Sequence, residues 1–154
     1  MTDIPIFEFP CEPWTISTDP ARLDLGHVHH WLSTASYWAE GVPLDVVERC
    51  FRHSCAFGVY AEDGSLAGFA RVVTDYASFG YVADVFILPE RRGHGLGKLL
   101  VEAMLAHPDL QGLRRWLLMT QDAHGLYGQY GFTPLRNPLR AMERHDPGVY
   151  GPRR

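Results

Sequence analysis

The stretch RRGHGLGKLL at 91–100 sets Arg91, Arg92, His94 and Lys98 among Gly93, Gly95 and Gly97, and runs into the apolar, helix-forming LLVEAMLAH. Glycine has no Cβ, so its backbone can close on a ligand. The first N–H groups of a helix have no partner within it and point at whatever lies before them. The chemistry this combination suits is the holding of an anion, above all a phosphate. A nucleotide-triphosphate loop needs glycine, four residues, then Gly-Lys-Ser/Thr. Arg92 stands where the first glycine belongs and Leu99 where the hydroxyl belongs. A dinucleotide fingerprint needs G-x-G-x-x-G directly after a strand. Lys98 takes the place of its third glycine, and PERR separates the loop from the preceding strand. What remains is R-x-x-G-x-G, from Arg92 to Gly97.

Asp84 is the second residue that could do chemistry. A carboxylate inside the apolar run YVADVFIL must be paired or functional. It could act as a general base or as a structural hydrogen-bond anchor. His27 and His30 have the spacing of two metal ligands, but no third ligand is spaced nearby and a zinc site needs three or four, so no metal is expected. Cys11, Cys50 and Cys55 are odd in number, fit no metal or redox spacing, and read as reduced thiols in a cytoplasmic protein.

These residues need elements to position them. WTIST (14–18) has strand character. Leu23, Val28, Trp31 and Leu32 recur at near-helical spacing, predicting a helix over about 23–34, and a second helix follows at about 44–53. Strands are predicted at 55–61 and 66–74 around the turn EDGS, and at 79–88, which is nearly all apolar and therefore central. The glycine loop then opens a helix to about His107. A strand at 114–120, a short helix at 123–131, and two last strands in FTPL (132–135) and LRAMERH (139–145) complete the order β-α-α-β-β-β-α-β-α-β-β. The class is α/β or α+β: a mixed, mostly antiparallel central sheet with flanking helices.

The chain has 154 residues and a formal net charge of −4. That length suits one domain over 1–154 with a real core. The charge speaks against nucleic-acid binding, which needs a basic footprint. The beginning MTDIPIFEFPCEP lacks the basic-then-apolar pattern of a secretory signal, and no apolar run approaches the roughly 20 residues of a membrane span.

The R-x-x-G-x-G loop, placed after a strand and opening a helix, resembles motif A of the GNAT superfamily of N-acetyltransferases. DAHGLYGQYGF resembles the family's motif B, A-x-x-x-Y-x-x-x-G-F, through Ala123, Tyr127, Gly131 and Phe132. The two motifs stand in the family's order and elements, and the resemblance covers roughly 14–145. One departure is that the asparagine often found before motif B is missing, since the region reads Thr120-Gln121-Asp122.

The resemblance implies acetyl-coenzyme A as acetyl donor, its pyrophosphate on Arg92, Gly93, His94, Gly95, Leu96, Gly97 and Lys98. It implies an oxyanion donor among the backbone N–H groups of Phe86, Ile87 and Leu88. Tyr127 would protonate the leaving thiolate, while Tyr130 reads as packing. Asp84 would be a general base or a gate for the amine. His30, or His27, would border the acceptor site on the first helix. Tyr37 and Trp38, beside Glu40, would wall the acceptor pocket and hold a cation; Tyr76 and Tyr81 flank the strand leading there. The implied reaction is direct transfer to a primary amine of a small molecule in a ternary complex. Cys50 and Cys55 lie outside both motifs, so no acyl-cysteine is expected. The alternatives are a coenzyme A-binding sensor without catalysis and an acetyltransferase of protein N-termini or lysines. Neither nucleic acid nor membrane is expected as a partner, and the chain would work as a monomer or homodimer.

Overall fold

The computed structural model describes residues 4–151. Its centre is one six-stranded sheet. Strands β1 (Glu8–Cys11) and β2 (Trp14–Ser17) form a hairpin, and β3 (Cys55–Tyr60), β4 (Leu66–Thr74), β5 (Phe79–Ile87) and β6 (Arg115–Leu118) continue in chain order across the sheet. Neighbours are antiparallel except β5 and β6. That pair is parallel because α3 (Leu96–Ala106) carries the chain back between them. Helices α1 (Leu25–Ala35) and α2 (Leu44–Arg52) join β2 to β3, and α4 (His124–Gly128) follows β6. Among the described residues, no helix is long and apolar enough to cross a membrane.

The two faces of the sheet carry separate cores. Phe57, Val59, Ala70, Val72 and Val82 face α3, which buries Leu96, Leu100, Val101, Ala103 and Met104. Tyr60, Phe69 and Phe86 face α1 and α2, which bury Val28, Leu32 and Val47. Phe69 and Ala70 show the strand alternation that makes this possible. Helix α1 starts at Leu25 rather than near Leu23 because the Asp24 carboxylate accepts from the backbone N–H of His27 at 3.0 Å, a side-chain cap.

The fold class agrees with the sequence reading, but the element order differs at both ends. A strand, β1, precedes WTIST; Pro10 and Pro13 disguise it, and as an edge strand it tolerates proline. At the other end, neither FTPL nor LRAMERH is a strand. Pro134 and Pro138 lack the N–H a ladder needs, and Pro138–Arg140 form a short 3-10 turn. Residues 133–149 are all exposed, and Tyr150 returns to pack against the α1 and α2 core.

Candidate active site

The site begins where two strands part. Strand β6 pairs with β5 only from Phe79↔Arg115 to Val82↔Leu118, whereas β5 runs on to Ile87. Beyond Val82 the β6 side of β5 is therefore an opening with no strand paired along it. At the same point β5 bulges against β4: the register shifts between Phe69↔Phe86 and Arg71↔Ala83, and Asp84 adopts a left-handed φ of 55°. Leu88 N–H donates to Ala67 O at 2.9 Å, so it is already used. An antiparallel ladder alternates, so Phe86, like Leu88, turns its N–H toward β4, and Ile87 turns its own toward the opening. Of the three expected oxyanion donors, Ile87 alone turns its N–H to the opening.

The glycine loop lies at the end of β5. Gly93 (φ 87°) and Gly95 (φ 73°) are left-handed, the conformation that favours glycine, and a Cβ at either would meet no atom of the chain within 4 Å. The first backbone bond of α3 runs from Leu99 N–H to Gly95 O, which leaves the N–H groups of Leu96, Gly97 and Lys98 without helical acceptors. Arg92 is exposed in the loop. Its Nε donates to Ile87 O at 3.1 Å and pins the loop to the strand end. Arg91 donates to Ser65 Oγ at 2.9 Å and lies over the Trp14 ring. The His94 ring packs near Trp14, with centroids 5.5 Å apart. Loop and helix thus present an open, donor-rich cradle whose shape is fixed from behind.

Helix α4 closes against this cradle. A Cβ on Gly97 would lie 3.5 Å from Leu126 Cδ2, so α3 and α4 meet there. Thr120, in the segment where the family asparagine is missing, accepts from Ala123 N–H at 3.0 Å and helps start the helix. Tyr127 is buried, with its ring edge-on to Phe132. Burial pushes its phenol up to about 12, so it carries its proton at neutral pH. Tyr130 is turned elsewhere and donates to Glu102 at 2.9 Å.

On the α1 side, Asp84 is held by two donors. Trp38 Nε1–H donates to Oδ1 at 2.8 Å and Arg71 Nε to Oδ2 at 2.6 Å. Arg71 also donates to Ser54 Oγ at 3.1 Å. The carboxylate that reaches Trp38 is thus Asp84 rather than the adjacent Glu40. Trp38 lies among rings: Trp31 stacks on Phe86 at 4.2 Å, Trp38 is 5.8 Å from Trp31, and Tyr37 stands edge-on to Trp38 at 5.0 Å. Trp31 Nε1–H is buried with no hydrogen-bond partner among the described residues. His30 is exposed on α1, whereas His29 Nε2 bonds Val42 O at 2.9 Å and fastens the connection to α2. Arg71, Ser54 and Trp31 were missed in the sequence. The legible signal was an arginine in the apolar strand LAGFARVVT beside an aspartate in the next strand: two charges in one hairpin call for pairing.

Among the described residues there is no cluster of three or more potential metal ligands. The arrangement can hold a phosphate group at the loop, a carbonyl oxygen at the opening, and a neutral proton donor on α4.

Comparison with known proteins accords with this geometry. The profile of the Acetyltransferase (GNAT) family matches residues 12–132. A candidate acetyltransferase of Gibberella zeae is 33% identical, covering 75% of this chain and 76% of its own. The crystal structure of a candidate GNAT-family acetyltransferase from Xanthomonas campestris pv. campestris superposes with a TM-score of 0.88 at 52% identity, over 90% of this chain and 97% of that one. Spermidine N-acetyltransferase from Vibrio cholerae, solved with CoA and spermine, shares the fold at a TM-score of 0.63 and 18% identity, over 80% of this chain and 82% of its own. The chain belongs to the GNAT family of acetyltransferases.

Proposed function

We propose that this chain, acting as one catalytic domain, transfers the acetyl group of acetyl-coenzyme A to the primary amine of a small molecule. Transfer is direct, within a ternary complex. The observation that carries this reading is the adjacency of the left-handed glycine cradle and the β5–β6 opening. The cradle suits a pyrophosphate: free first-turn N–H groups face it, and the space above Gly93 and Gly95 is clear. The opening suits the extended, amide-bearing arm that links that pyrophosphate to the thioester. The Vibrio cholerae neighbour, with CoA and spermine bound, supports a coenzyme A donor and an amine acceptor on this fold.

Acetyl-coenzyme A supplies the thioester carbonyl that is attacked. The Ile87 N–H, turned into the opening, polarises that carbonyl and stabilises charge on its oxygen. The amine nitrogen attacks as the free base, a C–N bond forms and the C–S bond breaks. Tyr127 gives its phenolic proton to the departing sulfur and regains one from solvent. At neutral pH the buried phenol carries the proton that it gives.

Asp84 serves as the anchor of the acceptor wall rather than as the base, since both its oxygens are engaged. The surplus proton of the amine leaves through solvent; His30 and Tyr37, both exposed, are the residues proposed to border its way out. The three free cysteines suit a cytoplasmic, reducing setting. Amine-dependent release of coenzyme A thiol tests the reading. Wild-type protein releases thiol in step with acetylated amine; binding of acetyl-coenzyme A without turnover of any amine would contradict it.

A further inference from the structure

The acceptor side of the site has a chemical character that narrows what the amine is attached to. A row of rings starts at Phe86, one residue before the Ile87 N–H that faces the opening. It passes through Trp31 and Trp38 and ends at Tyr37. Phe86 is 4% exposed, Trp38 39% and Tyr37 61%, so the row leads from the buried end of β5 out to solvent. Exposed aromatic surface beside a site marks binding of a ligand with a complementary apolar face.

Ring faces also attract cations, so charge has to decide. The carboxylate in the row belongs to Asp84, and it is neutralised: Arg71 forms an ion pair with Oδ2 at 2.6 Å and Trp38 occupies Oδ1. Both partners are largely buried, with side chains 15% and 13% exposed. A ligand carrying a second ammonium group would approach a guanidinium and find no open carboxylate there. Asp45, on α2, is turned toward Arg49 at 3.6 Å. Glu40 is exposed, and it is not the carboxylate that Trp38 bonds. A polyhydroxylated amine would fare no better, since the row offers it ring surface, with only the buried Trp31 Nε1–H and the Tyr37 hydroxyl at its outer end as polar groups without a partner among the described residues.

We propose that the acceptor is a primary amine on an aromatic or otherwise apolar body, bearing no second positive charge, with the row Phe86–Trp31–Trp38–Tyr37 as its binding wall. This rests on the acetyltransferase reading above. Tyr37 and Trp38 are its specificity-determining residues. Asp84 and Arg71 are positioning residues, which hold the Trp38 indole in place and remove the charge that would draw a polycation.

The test is thiol release from acetyl-coenzyme A with 2-phenylethylamine, hexylamine, 1,4-diaminobutane and glucosamine, alongside calorimetric titration of acetyl-coenzyme A. The two apolar amines give kcat/KM at least about tenfold above the diamine and the amino sugar. Tyr37→Ala, an exposed position with little bearing on folding, raises KM for 2-phenylethylamine about fivefold with kcat nearly unchanged, the pattern of lost uniform binding. Trp38→Phe, which keeps a ring, retains more of that affinity than Trp38→Ala. Preference for the diamine or the sugar, turnover of none of the four, or an unchanged KM in Tyr37→Ala overturns the proposal and leaves the donor reading intact. Absence of acetyl-coenzyme A binding overturns the reading beneath it as well.

Discussion

The indole N–H of Trp38 and the carboxylate of Asp84 meet at 2.8 Å across 46 residues of chain. This bond ties the connection between α1 and α2 to the bulge in β5. Asp84 can make it because its φ of 55° departs from the strand geometry on either side.

Asp84→Asn tests that tie. Asparagine tolerates the left-handed backbone nearly as well as aspartate, so strain stays constant. The change leaves Arg71 largely buried and without its counter-ion. The expected loss is about 2 kcal/mol, or about 5 °C in Tm, with a raised KM for the amine. Acetyl-coenzyme A should bind as before. Unaltered Tm and KM in Asp84→Asn would show that the pair positions nothing.

Gly95 is the second point. Its φ of 73° makes any side chain costly, so Gly95→Ala should lower stability by about 1–2 kcal/mol. Gly95→Asp adds a carboxylate in the open space over the loop and should abolish acetyl-coenzyme A binding, measured by calorimetry. His94→Ala should have a far smaller effect, because that ring rests near Trp14.

Tyr127→Phe keeps the ring and its contact with Phe132 and removes one proton donor. Loss of a general acid of this kind lowers kcat about a hundredfold to ten-thousandfold. The dissociation constant of acetyl-coenzyme A should hardly move, and the deficit should shrink at low pH, where solvent acid substitutes. Tyr130→Phe is the comparison, since its hydroxyl is spent on Glu102; it should change kcat by less than about tenfold. A defect in Tyr130→Phe with none in Tyr127→Phe would reverse the assignment.

His107 makes stability depend on pH. It is fully buried between Phe7 and Phe57, and its Nδ1 accepts from Asp109 N–H at 3.0 Å. Burial lowers its pKa below the usual 6.5, with Asp109 opposing in part. The unfolded chain therefore binds the proton more readily than the folded one. Stability from the neutral ring is complete above pH 6.5 and is lost as pH falls below it. Urea midpoints should drop over that range, and His107→Phe should flatten the slope. An equal slope in both proteins would place the pH dependence elsewhere.

The glycine loop, the central strand and both long helices of the α1–α2 pair were readable because each rests on local signals: glycines before a helix, an unbroken apolar run, apolar residues at helical spacing. The last two strands misled because of their apolar residues, while Pro134 breaks FTPL and the 3-10 turn Pro138–Arg140 takes up the start of LRAMERH. Strand β1 was hidden by the reverse effect, since its Pro10 is tolerated at an edge. In the site, Tyr37, Trp38 and Asp84 could each be singled out, but not their relation. The bond from Trp38 to Asp84 and the pairing with Arg71 depend on α1 and α2 packing across β4 and β5, a long-range outcome that spacing along the chain does not encode.

The central claim is that the loop from Arg92 to Lys98 holds the pyrophosphate of acetyl-coenzyme A, and thermal unfolding with and without ligand tests it most directly. Acetyl-coenzyme A at about a hundredfold excess over its dissociation constant should stabilise the native protein by about 2.7 kcal/mol, because it binds only the folded state. ATP at the same concentration should do much less, and Gly95→Asp should abolish the shift. An equal shift from ATP, or a shift that survives in Gly95→Asp, would contradict the claim.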